Sequence, residues 1–178
     1  NDNTGPGNIG IGRYALSGAN SGEYNVAIGY DAGASSSTGQ SNVFIGANAA
    51  NAATDIDEAV VIGRYALKTA VGNNHDGVIA IGAQALETLN VGGGNGTTAV
   101  GYQSGEALTT AVNNTLLGRQ TLKTSTTSSG SVMLGKSAGE AITTGNQNIA
   151  IGLSAMNAST TGDNNIAIGA NAGDALTS

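Results

Sequence analysis

The stretch Asn148-Ile149-Ala150-Ile151-Gly152 is the most informative part of the sequence about the fold, because close copies of it recur along the whole chain. An aliphatic residue followed by glycine stands in ten places, and successive glycines lie 17 residues apart except for two intervals of 19. A fixed period of this length is typical of solenoids, in which each repeat stacks on the next. The sequence therefore predicts one repeat domain over residues 1–178. The ten glycines are Gly12, Gly29, Gly46, Gly63, Gly82, Gly101, Gly118, Gly135, Gly152 and Gly169.

Each copy predicts a short β-strand that ends at the glycine. The residues three and one before the glycine are aliphatic or Thr, mostly β-branched, and this period of two is typical of strands. We interpret these two residues as the inward-facing ones, so that Ile28→Asp or Ile151→Asp should destabilise the rod. Asn stands four before the glycine in six copies, which predicts a ladder of stacked Asn side chains, formed by Asn8, Asn25, Asn42, Asn114, Asn148 and Asn165.

The segment after each glycine is less regular. A small residue stands three after the glycine in every copy, as Ala15 and Ala32 do. The next position alternates in much of the chain between Leu or Met and Gly, so the structural coil is either 17 or 34 residues long. The apolar spacing in this segment fits either one helical turn or a second strand. The fold class is therefore an all-β parallel solenoid of about ten repeats of 17–19 residues, with short helical turns left open.

Composition excludes several classes of function. The net charge is −6 and only 10% of residues are charged, so a nucleic acid would be repelled on average. The chain has no cysteine for disulfides or thiolate metal sites. It has no apolar run of the roughly 20 residues that span a bilayer, so we expect no membrane insertion by this segment. Because it opens without Met and stops inside a repeat, we interpret it as a fragment of a longer fibrous protein.

The repeat resembles two families of fibrous proteins. The segments Asn25-Val26-Ala27-Ile28-Gly29 and 165–169 are similar to the head repeat of trimeric autotransporter adhesins, a left-handed parallel β-roll. With Thr-Gly before the next strand, as at 37–39 and 143–145, the pattern looks like the repeats of tailed-phage tail fibres. The autotransporter repeat is shorter, which favours the phage resemblance.

Both resemblances imply a non-enzymatic shaft or head segment of a trimeric extracellular fibre that attaches to a host or surface. The virion tail fibre is the preferred identity, and the head of a bacterial surface adhesin is the alternative. The implied partners are two identical chains, other fibre or virion proteins, and a host glycan or protein. No cofactor and no catalytic residue is implied.

An apolar stripe supports the expectation of a homotrimer. The residue two before the glycine carries no charged or hydrogen-bonding side chain in any copy. Alternation places it opposite the face that we assigned to the core, so something must cover it. Identical parallel chains would do so, and a second wall from the same chain is the alternative. The residues assigned to the trimer interface are Ala27, Phe44, Val61, Leu116 and Met133.

Tyrosine and arginine cluster near the glycines and form a candidate recognition surface for a glycan or a partner protein. Plain exposed decoration or packing between chains is the alternative. The residues are Arg13, Tyr14, Tyr30, Arg64, Tyr65 and Tyr102.

Residue types that often carry chemistry are sparse. His75 is the only histidine, and Asp55, Asp57 and Glu58 are the densest carboxylate group, without the spacing of a calcium loop. We expect these four residues to lie in loops rather than at repeat positions, with the three carboxylates in a solvated turn. They should be dispensable, and a chelator should leave melting unchanged. An ice-binding face built from Thr pairs and a depolymerase with a carboxylate pair remain lesser alternatives, and no metal site is expected.

Overall fold

The structure is a computed structural model that describes residues 5–18, 21–70, 75–90, 95–158 and 161–174. It is all-β, with ten strands of three residues each and no helix among the described residues. No helix in these ranges is therefore long and apolar enough to cross a membrane. The strands are β1 Ile9–Ile11, β2 Val26–Ile28, β3 Val43–Ile45, β4 Val60–Ile62, β5 Ile79–Ile81, β6 Thr98–Val100, β7 Thr115–Leu117, β8 Val132–Leu134, β9 Ile149–Ile151 and β10 Ile166–Ile168.

The ten strands form one parallel sheet in the order of the sequence. Equivalent residues pair from each strand to the next, as Val26 with Val43 and Ala27 with Phe44. A parallel neighbour one repeat later requires the chain to travel once around the axis per repeat. The parallel β-solenoid is thus confirmed, and the structural coil is one repeat of 17 or 19 residues rather than a pair of repeats.

The segment after each glycine is a run of turns and is neither a helical turn nor a second strand. Within this segment every second residue has a positive φ: Tyr14 has φ 62° and Leu16 has φ 51°. The N–H groups two and four residues after the glycine point to the previous and the next coil, and the N–H group between them bonds within its own coil. The Asp31 N–H donates to the Arg13 carbonyl of the previous coil, and the Leu16 N–H donates to the Ala32 carbonyl of the next. Hydrogen bonds between coils therefore continue beyond the sheet.

The two faces of each strand are the reverse of our interpretation from the sequence. The middle residue of the strand points inward, and the aliphatic residues on either side of it point outward. The turn segment of the same chain forms the second wall of the core, with fully buried Leu67 and Leu86 on it. The stripe assigned to a trimer interface is therefore covered within one chain. Its five assigned residues, Ala27, Phe44, Val61, Leu116 and Met133, are all 0% exposed.

Side-chain volume is matched across this thin core. A Cβ added to Gly33 would lie 2.5 Å from Cδ2 of the Phe44 ring, and one added to Gly105 would lie 3.0 Å from Cδ1 of Leu116. Glycine on the turn wall thus makes room for a large residue on the strand wall. The alternation of Leu or Met with Gly reflects this local matching of volumes.

The Asn ladder is confirmed. The Asn25 side-chain oxygen accepts the Asn42 backbone N–H at 3.0 Å, and the Asn42 oxygen accepts the Ala59 N–H at 2.9 Å. The amide nitrogen of Asn25 donates to the Gly39 carbonyl at 2.7 Å, which ties the end of a coil to the start of its strand. In the middle of the chain Ala59, Val78 and Thr97 replace Asn and remain buried.

Candidate functional site: an exposed aliphatic face

The main surface feature is the outward side of the sheet, which we call the outer face. It consists of the first and third residues of every strand, and all of them are partly or fully exposed. Ile28 is 36% exposed, Leu117 is 52% exposed and Ile168 is 67% exposed. The twenty residues of the outer face are Ile9, Ile11, Val26, Ile28, Val43, Ile45, Val60, Ile62, Ile79, Ile81, Thr98, Val100, Thr115, Leu117, Val132, Leu134, Ile149, Ile151, Ile166 and Ile168.

The outer face is continuous because equivalent residues pair from each strand to the next along the whole sheet. Strands about 4.8 Å apart bring these side chains into two parallel columns, roughly 45 Å long over the ten strands. Only Thr98 and Thr115 interrupt the aliphatic sequence of the two columns. A soluble monomer rarely leaves a contiguous apolar patch of this extent in water, so such a surface marks a contact with another molecule.

The strand sequence explains why both sides of the sheet are apolar. β-branched residues favour the extended backbone, and a strand covered on both sides reads as a continuous apolar run. The inner position is often small because the core is thin. The outer positions carry Ile and Val in most coils, and the sequence interpretation assigned these β-branched residues to the core.

The structure brings some of the predicted recognition residues together. The Arg13 guanidinium lies 4.6 Å from the centre of the Tyr14 ring and donates to the Tyr14 hydroxyl at 2.7 Å. The Tyr14 and Tyr30 rings meet edge to face at 6.0 Å. These three side chains form one exposed cluster on the first two coils.

The other predicted recognition residues lie further along the same edge of the sheet. The Tyr65 ring has Arg64 at 4.8 Å and Lys68 at 4.7 Å from its centre, and the Tyr102 ring has Arg119 at 5.6 Å. These contacts are separate from the Arg13 cluster. No pocket was found in the described structure, so the tyrosines decorate an open surface.

His75 is buried at a stacked position of the coil, whereas Asp55 and Asp57 are partly exposed and Glu58 is exposed. His75 is 0% exposed and stands three residues before Val78, as buried Ile56 stands three before Ala59. The Asp57 carboxylate accepts the Gln40 N–H at 2.7 Å. The expectation that His75 lies in a loop outside the repeat positions is therefore wrong, while the dispensability of these residues stays a prediction.

The carboxylates of the described chain form structural contacts rather than a cluster. The Asp55 carboxylate accepts the Thr38 hydroxyl at 2.9 Å, and Glu58 is exposed. Within the described residues, no group of three His, Cys, Asp or Glu side chains could hold a metal ion.

A polar network crosses the middle coils on the turn side. Gln84 and Gln103 donate to Glu87 and Glu106 at 2.8 and 3.0 Å, and the Gln103 side chain also donates to Gln84 at 3.4 Å. Lys68 lies 4.0 Å from Glu87 on the next coil. Partly exposed pairs of this kind contribute little energy singly, so we regard the network as a support for stacking.

The Thr pairs at 109–110 and 143–144 lie outside the described strands. No described strand carries the Thr-x-Thr pattern. The Thr109 hydroxyl donates to the Thr126 carbonyl of the next coil at 3.0 Å, so this side chain connects coils.

Comparisons of the chain with family models, with curated proteins and with solved structures found no match.

Proposed function

We propose that the chain is a structural shaft or head segment of a trimeric extracellular attachment fibre, most similar in its repeat to phage tail fibres. The observation that supports the proposal is the outer face, an exposed aliphatic surface along a solenoid whose core is buried within one chain. The head of a bacterial surface adhesin is the alternative source of the same architecture.

The rod suits a mechanical role. Backbone hydrogen bonds between neighbouring coils recur in the strand, after the glycine and before the next strand. Each coil is thereby fixed to both neighbours, which gives a stiff and extendable unit. The mechanism is geometric: the rod fixes the distance between the structures joined to its ends and so presents the part of the fibre that binds.

Identical chains are the proposed cover of the outer face. A face without charged side chains matches a second copy of itself, because every coil offers at least one aliphatic position and all but the two with Thr98 and Thr115 offer two. Closed cyclic symmetry is the usual way for identical chains to bury such a face, and three is the number that the family resemblance implies. The interface residues are thus proposed on the outer face, in place of the buried middle column.

The proposal is tested by comparing Ile45→Asp with Phe44→Asp. Ile45 points outward, so a carboxylate there should abolish association and leave a folded solenoid. Phe44 is fully buried, so a carboxylate there should unfold the chain. Light scattering measures the mass, and circular dichroism measures the folded state.

We expect the wild type to have the mass of three chains and Ile45→Asp, combined with Ile62→Asp, to have the mass of one. A wild type that is monomeric and well folded at micromolar concentration would refute the trimer. An Ile45→Asp, Ile62→Asp variant that stays trimeric would show that another surface holds the chains together.

Recognition of a glycan by the rod itself is the second candidate, because Arg13, Tyr14 and Tyr30 form an exposed aromatic and cationic cluster. A glycan array with the wild type and with Tyr14→Ala tests it. Binding that the substitution abolishes would support a lateral binding role, and absence of binding to any glycan would leave the structural role alone.

A further inference from the structure

Asn95 and Gly96 form the only Asn-Gly pair in the sequence, directly before the segment that leads into β6. Glycine carries no side chain that would shield its backbone nitrogen. That nitrogen can therefore reach the side-chain carbon of the preceding asparagine and close a five-membered succinimide ring. Whether this happens in a folded protein depends on the hydrogen bonds that hold the two residues in place.

The Gly96 N–H lacks the hydrogen bond that its equivalents make. Two residues before a strand, the backbone N–H donates to a carbonyl of the previous coil: the Glu58 N–H donates to Gln40 at 3.0 Å, and the Gln147 N–H donates to Ser129 at 2.9 Å. The same bond is made before each of the strands β2 to β10 except β6. Among the described residues, the Gly96 N–H is thus the one member of its column without a bond to the previous coil.

The Asn95 side chain also lacks the hydrogen bond that others make at its position. The Asn146 side-chain oxygen accepts the Ser129 N–H of the previous coil at 2.9 Å, and the Asp76 carboxylate accepts the Asp57 N–H at 3.2 Å. The Asn95 side-chain oxygen is buried, and it has no hydrogen-bond partner within the described structure. An unpaired buried acceptor of this kind is uncommon in proteins. Both groups that would form the ring are therefore held by fewer bonds than their equivalents.

The preceding coil shows the contrast at the same two positions. Asp76-Gly77 could close the same ring with loss of water, but the Gly77 N–H donates to the Asp57 carbonyl at 3.0 Å. The Asp76 carboxylate holds the Asp57 N–H as well. The local loss of hydrogen bonds is thus specific to Asn95 and Gly96.

From these observations we infer that Asn95 is a site of spontaneous deamidation in the folded protein. The Gly96 nitrogen attacks Cγ of Asn95, the bond between Cγ and Nδ2 breaks, and ammonia leaves with the proton of the Gly96 nitrogen. Water then opens the succinimide at one of its two carbonyls, which gives aspartate or isoaspartate at position 95. The reaction needs only water, and the inference does not depend on the proposed trimer.

Both products change the middle of the rod. Aspartate adds a negative charge one coil after Asp76. Isoaspartate adds one methylene to the backbone that leads into β6. Because the Asn95 carbonyl accepts the Asn113 N–H at 2.9 Å, isoaspartate would also displace a bond to the next coil.

The rate of deamidation tests the inference. Wild type and Gln147→Gly are incubated at mildly alkaline pH, each folded and in urea, and peptide mass spectrometry follows the gain of one dalton at each asparagine. Gln147→Gly places a glycine after Asn146, at the position of the coil that Gly96 occupies. Gln147 has φ 55°, so glycine is tolerated there, and the hydrogen bonds of this coil are kept.

In urea, Asn95 and the Asn146 of Gln147→Gly should react at similar rates, because both are then unfolded Asn-Gly pairs. In the folded protein Asn95 should stay close to its rate in urea, whereas Asn146 should react about tenfold more slowly, the factor that one or two hydrogen bonds account for. Strong protection of Asn95 by folding, which wild type alone reveals, would overturn the inference. Equal rates at the two sites in the folded protein would overturn it as well.

Asn95→Ser identifies the reacting residue. Serine stands at the equivalent position of another coil as Ser129, so the variant should fold. The gain of mass in the peptide that contains position 95 should disappear, together with its labelling by an isoaspartate methyltransferase. A gain of mass that persists at the wild-type rate would show that another asparagine reacts and would refute the assignment to Asn95.

Discussion

At the scale of single residues, the glycine after each strand is the least replaceable position. Gly46 has φ 130°, and a Cβ on it would lie 2.7 Å from the carbonyl carbon of Gly63 on the next coil. Both the backbone angle and the close approach of the neighbouring coil exclude a side chain. This explains why glycine recurs in every copy while the residues around it vary.

Gly46→Ala should therefore destabilise the solenoid by about 3 kcal/mol, since a strained angle and a backbone clash act together. Gly77→Ala is the matched control: Gly77 has φ 66° with nothing within 4 Å of an added Cβ, so only about 1 kcal/mol is expected. Urea unfolding followed by circular dichroism measures both. Equal losses in the two variants would contradict the role of the neighbouring coil.

At the scale of the coil, the core depends on paired volumes rather than on any one residue. The turn wall supports Leu at the position of Gly33, because Leu16 and Leu67 adopt φ 51° and 47° in the same column and Gly33 has φ 57°. The Phe44 ring, with Cδ2 2.5 Å from an added Cβ, is the main obstacle to a larger residue at Gly33, and Cδ2 of Leu16 lies 3.1 Å from the same position.

The double variant Gly33→Leu, Phe44→Ala should be more stable than the sum of its single substitutions predicts. Phe44→Ala should lose about 3–5 kcal/mol by leaving a cavity, and Gly33→Leu should be destabilised by overpacking. Together they should recover at least about 1 kcal/mol, as measured by a double-mutant cycle in urea. Gly33→Leu with Leu116→Ala is the control, and coupling of equal size there would refute local compensation.

At the scale of the whole molecule, the chain buries its core within itself, so folding and association would be separable but linked in the proposed trimer. Binding that occurs only in the folded state raises the apparent stability with concentration. The melting temperature of the wild type should therefore rise with protein concentration. The Ile45→Asp, Ile62→Asp variant should melt at a temperature independent of concentration. Calorimetry over a hundredfold range of concentration measures both, and a wild-type melting temperature that does not change would argue against a trimer stabilised through the outer face.

The sequence by itself determined the repeat, the strand positions, the parallel solenoid and the Asn ladder. Each follows from spacing, because the period places equivalent residues above one another. The sequence left open whether the coil is one or two repeats long, and the structure shows one, since Asn25 and Asn42 stack one repeat apart. The strand-ending glycine followed from the same pattern.

Which face of each strand packs in the core could be seen from the structure and not from the sequence. Both faces of the strand Val43–Ile45 and of the equivalent strands carry apolar side chains. The alternation therefore defines two faces but does not indicate which of them faces the core. The decision depends on the second wall, and the turn segment after the glycine forms that wall with a backbone that no local pattern predicts. Because the turn segment lies close to the sheet, the middle residue of each strand packs against it in the core. The aliphatic residues on either side of the middle residue remain on the surface.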